Sequence, residues 1–427
     1  MHIYNVKSIV NGTRRKLTWA EKIIDGVFSP LKLGQLTIVW PDGDERIYGN
    51  DPEGITAVIH VRRMNFFKKC VLYGDVGFGE AYVDGDWDTP DINKVIEWMI
   101  LNVEHHPTLM ADDEKNAPVN FFRIFNTLAH KLRDNTITGS TKNISDHYDL
   151  GNSFFKTFLD PSMAYSSAYF TNGHESMEEA QTKKFDIWCQ KLRLNPNDHV
   201  LEVGCGWGGF AIYAVTHYGC RMTCITISKE QYNHVAQLIK KHCLEHKIDL
   251  QLTDYRHVKG QFDKIISIEM IEAVGHKFLP VYFKQLHQLL KRDGLLGIQM
   301  IVSPDHRYER FVNNVAWIQK HIFPGSLLPS MKAVQAAIHK TGTLALYDYE
   351  DMTASYARTL QLWRETFNDK RAEVVSLGFN DSFIRKWNYY FSYCEAAFSM
   401  RNISVAQVVF ARPNNLSAVP KISRLAL

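Results

Sequence analysis

No run of apolar residues in the chain approaches the ~20 needed to span a bilayer. The best stretch, Val95–Val103, is interrupted by Glu97 and Asn102. The opening MHIYNVKSIVNGTRRK lacks an apolar centre ahead of a cleavage site, so no secretory signal is expected. Excess charge is missing as well. With 49 Lys and Arg against 46 Asp and Glu the net charge is +3, too small to argue for a nucleic-acid partner. Any membrane affinity must therefore come from a local patch. The seven cysteines are odd in number and scattered, and Cys220 and Cys224 lack the C-x-x-C spacing of a zinc site. That pattern suits reduced thiols in a cytoplasm, and no metal is expected. The chain shows no internal repeat.

What is present is an ordinary globular composition, 45% hydrophobic and 22% charged, in 427 residues. That length predicts roughly two to three domains at ~150 residues each. Residues 1–110 read as a small α+β module. In it Ile3–Phe28 is helical, and Gln35–Trp40 and Ile55–Val61 are strands set between turn signals such as Pro41-Asp42-Gly43. Gly74, Gly77 and Gly79 precede the acidic, aromatic segment Tyr82–Asp88, and Asp91–Val103 is again helical. Residues 111–144 read as a linker carrying a basic amphipathic helix. There Phe121, Phe122, Phe125, Leu128 and Leu132 share a face ringed by Arg123, His130, Lys131 and Arg133, a pattern that suits a membrane surface or packing between domains.

From residue 145 to 413 the pattern becomes strand–helix alternation, followed by a short tail over 414–427. Val200–Phe210, VLEVGCGWGGF, is its centre: a strand over Asp198–Val203, a glycine turn, then a helix over Phe210–Tyr218. Without Cβ atoms the turn brings backbone close to a ligand, and its free N–H groups open onto a helix N-terminus. Strands follow at Arg221–Ile227, Leu250–Leu252, Asp263–Ile268 and Leu295–Val302. Helices lie between them, the first over Lys229–His246 with Ser228 as N-cap. This order predicts a Rossmann-like α/β domain with a doubly wound, mostly parallel sheet and ligands at the strands' carboxyl ends.

The glycine turn alone admits any dinucleotide. An NAD site requires an acid at the end of the second strand, about twenty residues past the first glycine. Here that strand ends Cys224-Ile-Thr-Ile-Ser-Lys229, and the first acid is Glu230, inside the next helix. An adenosyl ligand held by Thr226, Ser228 and Gln231, with Asp254 and Tyr255 against the adenine, remains open.

Nine segments then fall in order: HYDLGN (His147–Asn152), FLDPSMAYSSAYF (Phe158–Phe170), LEVGCGWGG (Leu201–Gly209), TISKEQ (Thr226–Gln231), DYR (Asp254–Arg256), EMIEAVGH (Glu269–His276), IFPGSLLPS (Ile322–Ser330), YYFSYCEAAF (Tyr389–Phe398) and QVVFARP (Gln407–Pro413). Together they closely resemble the cyclopropane-fatty-acyl-phospholipid synthases, a family that includes the mycolic acid cyclopropane synthases, from Ser145 to about Pro413. A weaker likeness runs through Gly77–Asp88. The resemblance implies a class I methyltransferase domain that uses S-adenosylmethionine. The alkene of an acyl chain in a membrane phospholipid attacks the sulfonium methyl, and a cyclopropane closes as a proton is lost to a bound bicarbonate.

Carried over by position, Tyr165 and Ser166, the loop residues Val203, Gly204, Cys205, Gly206, Trp207 and Gly208, and Thr226, Ser228, Gln231, Asp254 and Tyr255 would bind the cofactor. Glu272, Tyr356, Cys394, Gln299 and Ser167 would be catalytic. Glu272 and Tyr356 would lie beside bicarbonate, and Cys394, on an aromatic helix face, would serve as pocket lining or as a reactive thiol. Aromatic faces suit a sulfonium and a carbocation, at roughly 0.5–2 kcal/mol each, and Tyr165, Tyr169, Phe170, Trp317, Tyr356 and Trp363 are candidates. Ser167, Ala273 and Gln299 stand where many members carry cysteine, histidine and histidine. The expected product is a cyclopropane, and these departures keep open a methylene-branched or C-methylated acyl chain or an N-methylated amine. A non-catalytic lipid-binding protein is the rival from another class. A cytoplasmic, peripherally membrane-associated protein, possibly a homodimer, completes the expectation.

Overall fold

The computed structural model describes residues 16–103 and 150–418. The expected amphipathic segment Phe121–Leu132, the rest of the linker 111–144 and residues 419–427 lie outside them, as does most of the HYDLGN segment.

The first unit is a four-stranded sheet with helices. Helix α1 (Trp19–Phe28) starts at Thr18, whose hydroxyl accepts from the Glu21 amide while Glu21 reaches back to the Thr18 amide at 2.8 Å. This reciprocal pairing satisfies two amides that the helix itself leaves unbonded. Strands β1 (Gln35–Val39), β2 (Glu45–Tyr48), β3 (Thr56–Val61) and β4 (Trp87–Asp88) lie in the order β2-β1-β3-β4. Along β1 and β3 every second residue is buried, so one face meets α2 (Asn65–Val83) and α3 (Ile92–Val103). The stretch holding Gly74, Gly77 and Gly79 is helical, with one break where Gly74 has φ 58°.

The second unit is a seven-stranded sheet in the order β10-β11-β9-β8-β5-β6-β7. Its strands are β5 (His199–Val203), β6 (Arg221–Thr226), β7 (Ile248–Leu252), β8 (Phe262–Ile268), β9 (Leu290–Val302), β10 (Ala345–Asp351) and β11 (Ser404–Ala411). Five are parallel, and β10 and β11 run antiparallel to their neighbours. Around them lie α4 (Met177–Lys191), α5 (Gly209–Tyr218), α6 (Lys229–Lys241), α7 (Leu279–Leu289), α8 (Met331–Thr341), α9 (Thr353–Asp369) and α10 (Asp381–Ser399). Alternate strand residues serve opposite faces, as double winding requires. Leu201, Val203 and Ile265 pack with Tyr282, Phe283 and Leu286 of α7. Val200 and Ile266 pack with Trp188, Phe210, Ala214 and Val235 on the other side. The α6 helix stops at Lys241, short of the expected His246, and β9 begins five residues earlier than expected.

Strand order reverses between β5 and β8, the crevice where such sheets bind ligands. The two units share one core running from β1 and β3 to α9 and α10. At their contact Arg385 of α10 lies 3.9 Å over the Tyr82 ring and donates to the carbonyls of Tyr82 and Trp87 at 2.7 and 2.9 Å.

Candidate active site

A cavity of about 360 Å³ opens at that reversal, within the size range of small-molecule sites. Part of its wall is the turn after β5. Gly204, Gly206 and Gly208 all have positive φ there (82°, 52° and 85°), a path that side-chain-bearing residues rarely follow. A Cβ on Gly204 would sit 2.8 Å from the Met270 side chain. Val203, Gly204, Cys205, Gly206 and Trp207 line the cavity, while Gly208 serves as the N-cap of α5. Trp207 is held by its indole N–H on Asn152 at 2.8 Å and by the Phe155 ring at 5.0 Å. Asn152 closes the HYDLGN segment, so that motif positions the glycine turn.

The next strand ends complete the polar wall with Thr226, Gln231, Asp254 and Tyr255. Thr226 donates to the Gln231 carbonyl oxygen at 2.8 Å, and Ser228 caps α6 by accepting from the Gln231 amide. Ser228 does not itself line the cavity. Asp254 is gripped by Arg256 at 2.8 and 2.7 Å. Burial alone would raise its pKa, but this pairing outweighs burial and holds the carboxyl below its usual range. A backbone cradle, a helix N-terminus and polar groups at successive strand ends fit S-adenosylmethionine.

The remaining wall is apolar and aromatic, with Phe311, Ile318, Phe323, Leu360, Tyr393 and Phe398. Of the six expected aromatic candidates, Tyr165 and Tyr356 line the cavity. Trp363 backs Tyr165 at 5.3 Å between ring centroids. Tyr169 donates to Glu350, and Trp317 packs on Tyr389 at the contact between units. Tyr165 and Tyr390 join hydroxyls at 3.0 Å, and Tyr356 stacks on Phe398 at 4.5 Å. Cys394 also lines the cavity, and burial pushes its thiol up, away from the thiolate form.

Three of the five residues expected to be catalytic, Ser167, Gln299 and Tyr356, meet at a residue outside that set. Glu269, the first residue past β8, accepts from the Ser167 amide at 2.8 Å, the Gln299 side chain at 2.7 Å and the Tyr356 hydroxyl at 2.7 Å. Ser167 contributes its backbone, since its own hydroxyl turns to the Ala168 carbonyl. Gln299 is oriented in turn by the Trp188 indole and by Gln407, at 3.1 and 3.2 Å. Tyr356 is expected beside bicarbonate, and here it joins Ser167 and Gln299 around a side-chain carboxylate. Bicarbonate does not fit among them.

Glu272 lines the cavity too. One of its oxygens accepts from the Ile301 amide at 2.6 Å, and the other is buried with no hydrogen-bond partner. Burial and the neighbouring Glu269 push its carboxyl up to about 8. Burial raises Glu269 as well, but Tyr356, Gln299, Ser167 and Lys184 oppose it. Two close buried carboxyls ionise one at a time, and the one with more hydrogen-bond donors goes first. With three donors against one, Glu269 is the carboxyl of the pair that ionises first, and Glu272 is the one that holds its proton longer.

Two further buried ionisable groups stand outside the expected set of site residues. Lys184 of α4 lines the cavity and donates to the Ser166 hydroxyl at 2.7 Å, and burial lowers its pKa to about 8. Glu202 on β5 is raised to about 8, chiefly by burial. The signal for Lys184 was its place between Ala180 and Trp188, at helical spacing on the core face of α4.

Comparison with known proteins agrees with this geometry. The pattern of the mycolic acid cyclopropane synthetase family matches residues 135–408. The tuberculostearic acid methyltransferase UfaA1 of Mycobacterium tuberculosis is 34% identical over 385 residues, 88% of each chain. The cyclopropane-fatty-acyl-phospholipid synthase of Escherichia coli is 34% identical over 361 residues, 83% of this chain and 88% of its own. The crystal structure of the mycolic acid cyclopropane synthase CmaA1, complexed with SAH and CTAB, superposes with a TM-score of 0.59 at 31% identity. It covers 63% of this chain and 97% of that one. With its glycine cradle at the sheet reversal, the chain belongs to the mycolic acid cyclopropane synthetase family and is an S-adenosylmethionine-dependent methyltransferase of that family.

Proposed function

We propose that the protein transfers a methylene unit from S-adenosylmethionine to the double bond of unsaturated acyl chains in membrane phospholipids, closing a cyclopropane ring. The observation that carries this reading is a single cavity joining a nucleotide-type polar wall to an acyl-type apolar wall, with Glu269 and Glu272 lining the same space. Bound S-adenosylmethionine supplies an electrophilic sulfonium methyl. The loop from Val203 to Trp207, together with Tyr165, Ser166, Thr226, Gln231, Asp254 and Tyr255, would hold it. The faces of Tyr165 and Tyr356 favour a nearby cation by roughly 0.5–2 kcal/mol each. The apolar lining keeps water from trapping a carbocation. Cys394 is part of that lining in this reading.

The test is to incubate purified protein with S-adenosylmethionine and unsaturated phospholipid vesicles. The expected product is an acyl chain heavier by one CH2, with ring protons visible by NMR. A branched methylene product would establish the second reading, which the relative named as a tuberculostearic acid methyltransferase and the glutamine at position 299 favour. Methylation of soluble amines without vesicles would establish the amine reading, and failure to bind S-adenosylmethionine in calorimetry would leave a lipid-binding protein. Among the described residues no helix is long and apolar enough to cross a membrane. The location we propose is cytoplasmic, at the membrane surface, and a homodimer belongs to the same expectation.

A further inference from the structure

Glu269 has the surroundings of an ionised group that the fold holds in place. Its carboxylate takes three hydrogen bonds, from elements far apart in sequence: the Ser167 amide, the Gln299 side chain and the Tyr356 hydroxyl. Its backbone is at φ 48°, in the left-handed region that non-glycine residues rarely adopt, and its amide is tied to the Gln299 carbonyl at 2.8 Å. It lines the cavity, and Glu272 beside it has only one backbone donor.

We propose that the Glu269 carboxylate is itself the base that removes the proton from the transferred methyl group, in place of an exogenous bicarbonate. This rests on the function proposed above. The alkene's π pair forms the new C–C bond to the methyl carbon while the S–C pair stays on sulfur. That step leaves neutral S-adenosylhomocysteine and a carbocation on the adjacent carbon. Glu269 takes a proton from the transferred carbon, and the freed C–H pair closes the ring on the cationic carbon. One sulfonium charge and one carboxylate charge are consumed, and the neutral acid returns its proton to solvent. Ser167, Gln299 and Tyr356 are positioning residues that hold the base.

The experiment compares turnover on vesicles in buffer freed of carbon dioxide with turnover in added bicarbonate. The wild-type rate is expected to be the same in both. Glu269→Gln should lose about 100- to 10,000-fold in turnover, the usual share of a general base, with S-adenosylmethionine affinity unchanged in calorimetry. Glu269→Gly, which suits the backbone conformation, leaves the three donors open. It should gain saturable bicarbonate binding in carbon-13 NMR, and bicarbonate should restore its turnover. A wild-type rate that collapses without bicarbonate, or normal turnover in Glu269→Gln, overturns the assignment and leaves the transferase reading intact. A wild-type protein that binds S-adenosylmethionine but alkylates no acyl chain overturns the transferase reading and the assignment with it. The bicarbonate comparison uses the wild-type protein, so it decides the question even where a variant fails to fold.

Discussion

Two glutamates three residues apart differ because the fold gives one three donors and the other one. An amide at position 272 reproduces a protonated carboxyl, with an acceptor toward the Ile301 amide and a donor toward the cavity. Glu272→Gln should therefore keep S-adenosylmethionine binding and lower turnover by about tenfold or less, the scale of a neutral hydrogen bond. A loss as deep as that of Glu269→Gln would show that Glu272 must ionise. Cys394→Ala should keep most of the turnover, because a buried thiol raised by desolvation is a poor nucleophile. Glu202 allows a test by stability. Its folded pKa of about 8 lies above the ordinary 4.5, so the folded chain keeps a proton that the unfolded chain releases between those values. Wild-type stability should fall relative to Glu202→Gln as pH rises through that window, by up to ~1.4 kcal/mol per pH unit. Parallel denaturation midpoints at pH 5 and pH 8 would reveal a gap that widens toward alkaline pH, and a constant gap would refute the assignment.

At the scale of elements, the glycine turn after β5 is the most exacting. Gly204→Ala places a methyl against Met270 and forces a left-handed alanine at a cost of roughly 1–2 kcal/mol. The expected result is weaker S-adenosylmethionine binding in calorimetry, with little change in secondary structure by circular dichroism. This turn and the parallel strands around it were legible in the sequence, since strand, glycine and helix signals there all agree. The antiparallel pair β10 and β11 was not. Ala345–Asp351 carries Asp348, Glu350 and Asp351 on an exposed edge, and 52 residues of helix and turn separate it from its partner. Helix α2 was hidden for the opposite reason, because its three glycines argue locally for a turn. Of the residues that the resemblance pointed to, Tyr356 and Glu272 line the cavity and Gln299 hydrogen-bonds Glu269. Glu269 sits in the same EMIE segment, but its importance comes from Ser167, Gln299 and Tyr356, which only folding brings to it.

For the molecule as a whole, the contact between units includes a glycine where bulk would not fit. A Cβ on Gly79 would lie 2.5 Å from Trp317 and 2.7 Å from Tyr389. Close by, Glu80 pairs with Lys320 at 2.7 Å and with His321 at 2.9 Å. Gly79→Leu should cost about 1–3 kcal/mol by overpacking, read as a lower urea midpoint and faster proteolysis between the units. An unchanged midpoint would mean that the units are not coupled through this contact. The helix that makes the contact also walls the cavity. Arg385 and Tyr389 of α10 face the first unit, while Tyr390, Tyr393, Cys394 and Phe398 line the acyl side. Rigid elements transmit load in both directions. A chain lodged against Tyr393 and Phe398 would damp the motion of α10 and slow amide exchange in the first unit. By reciprocity, whatever grips or loosens that unit would change acyl affinity by the same factor, so chain-length preference could drift through substitutions that never touch the reacting atoms.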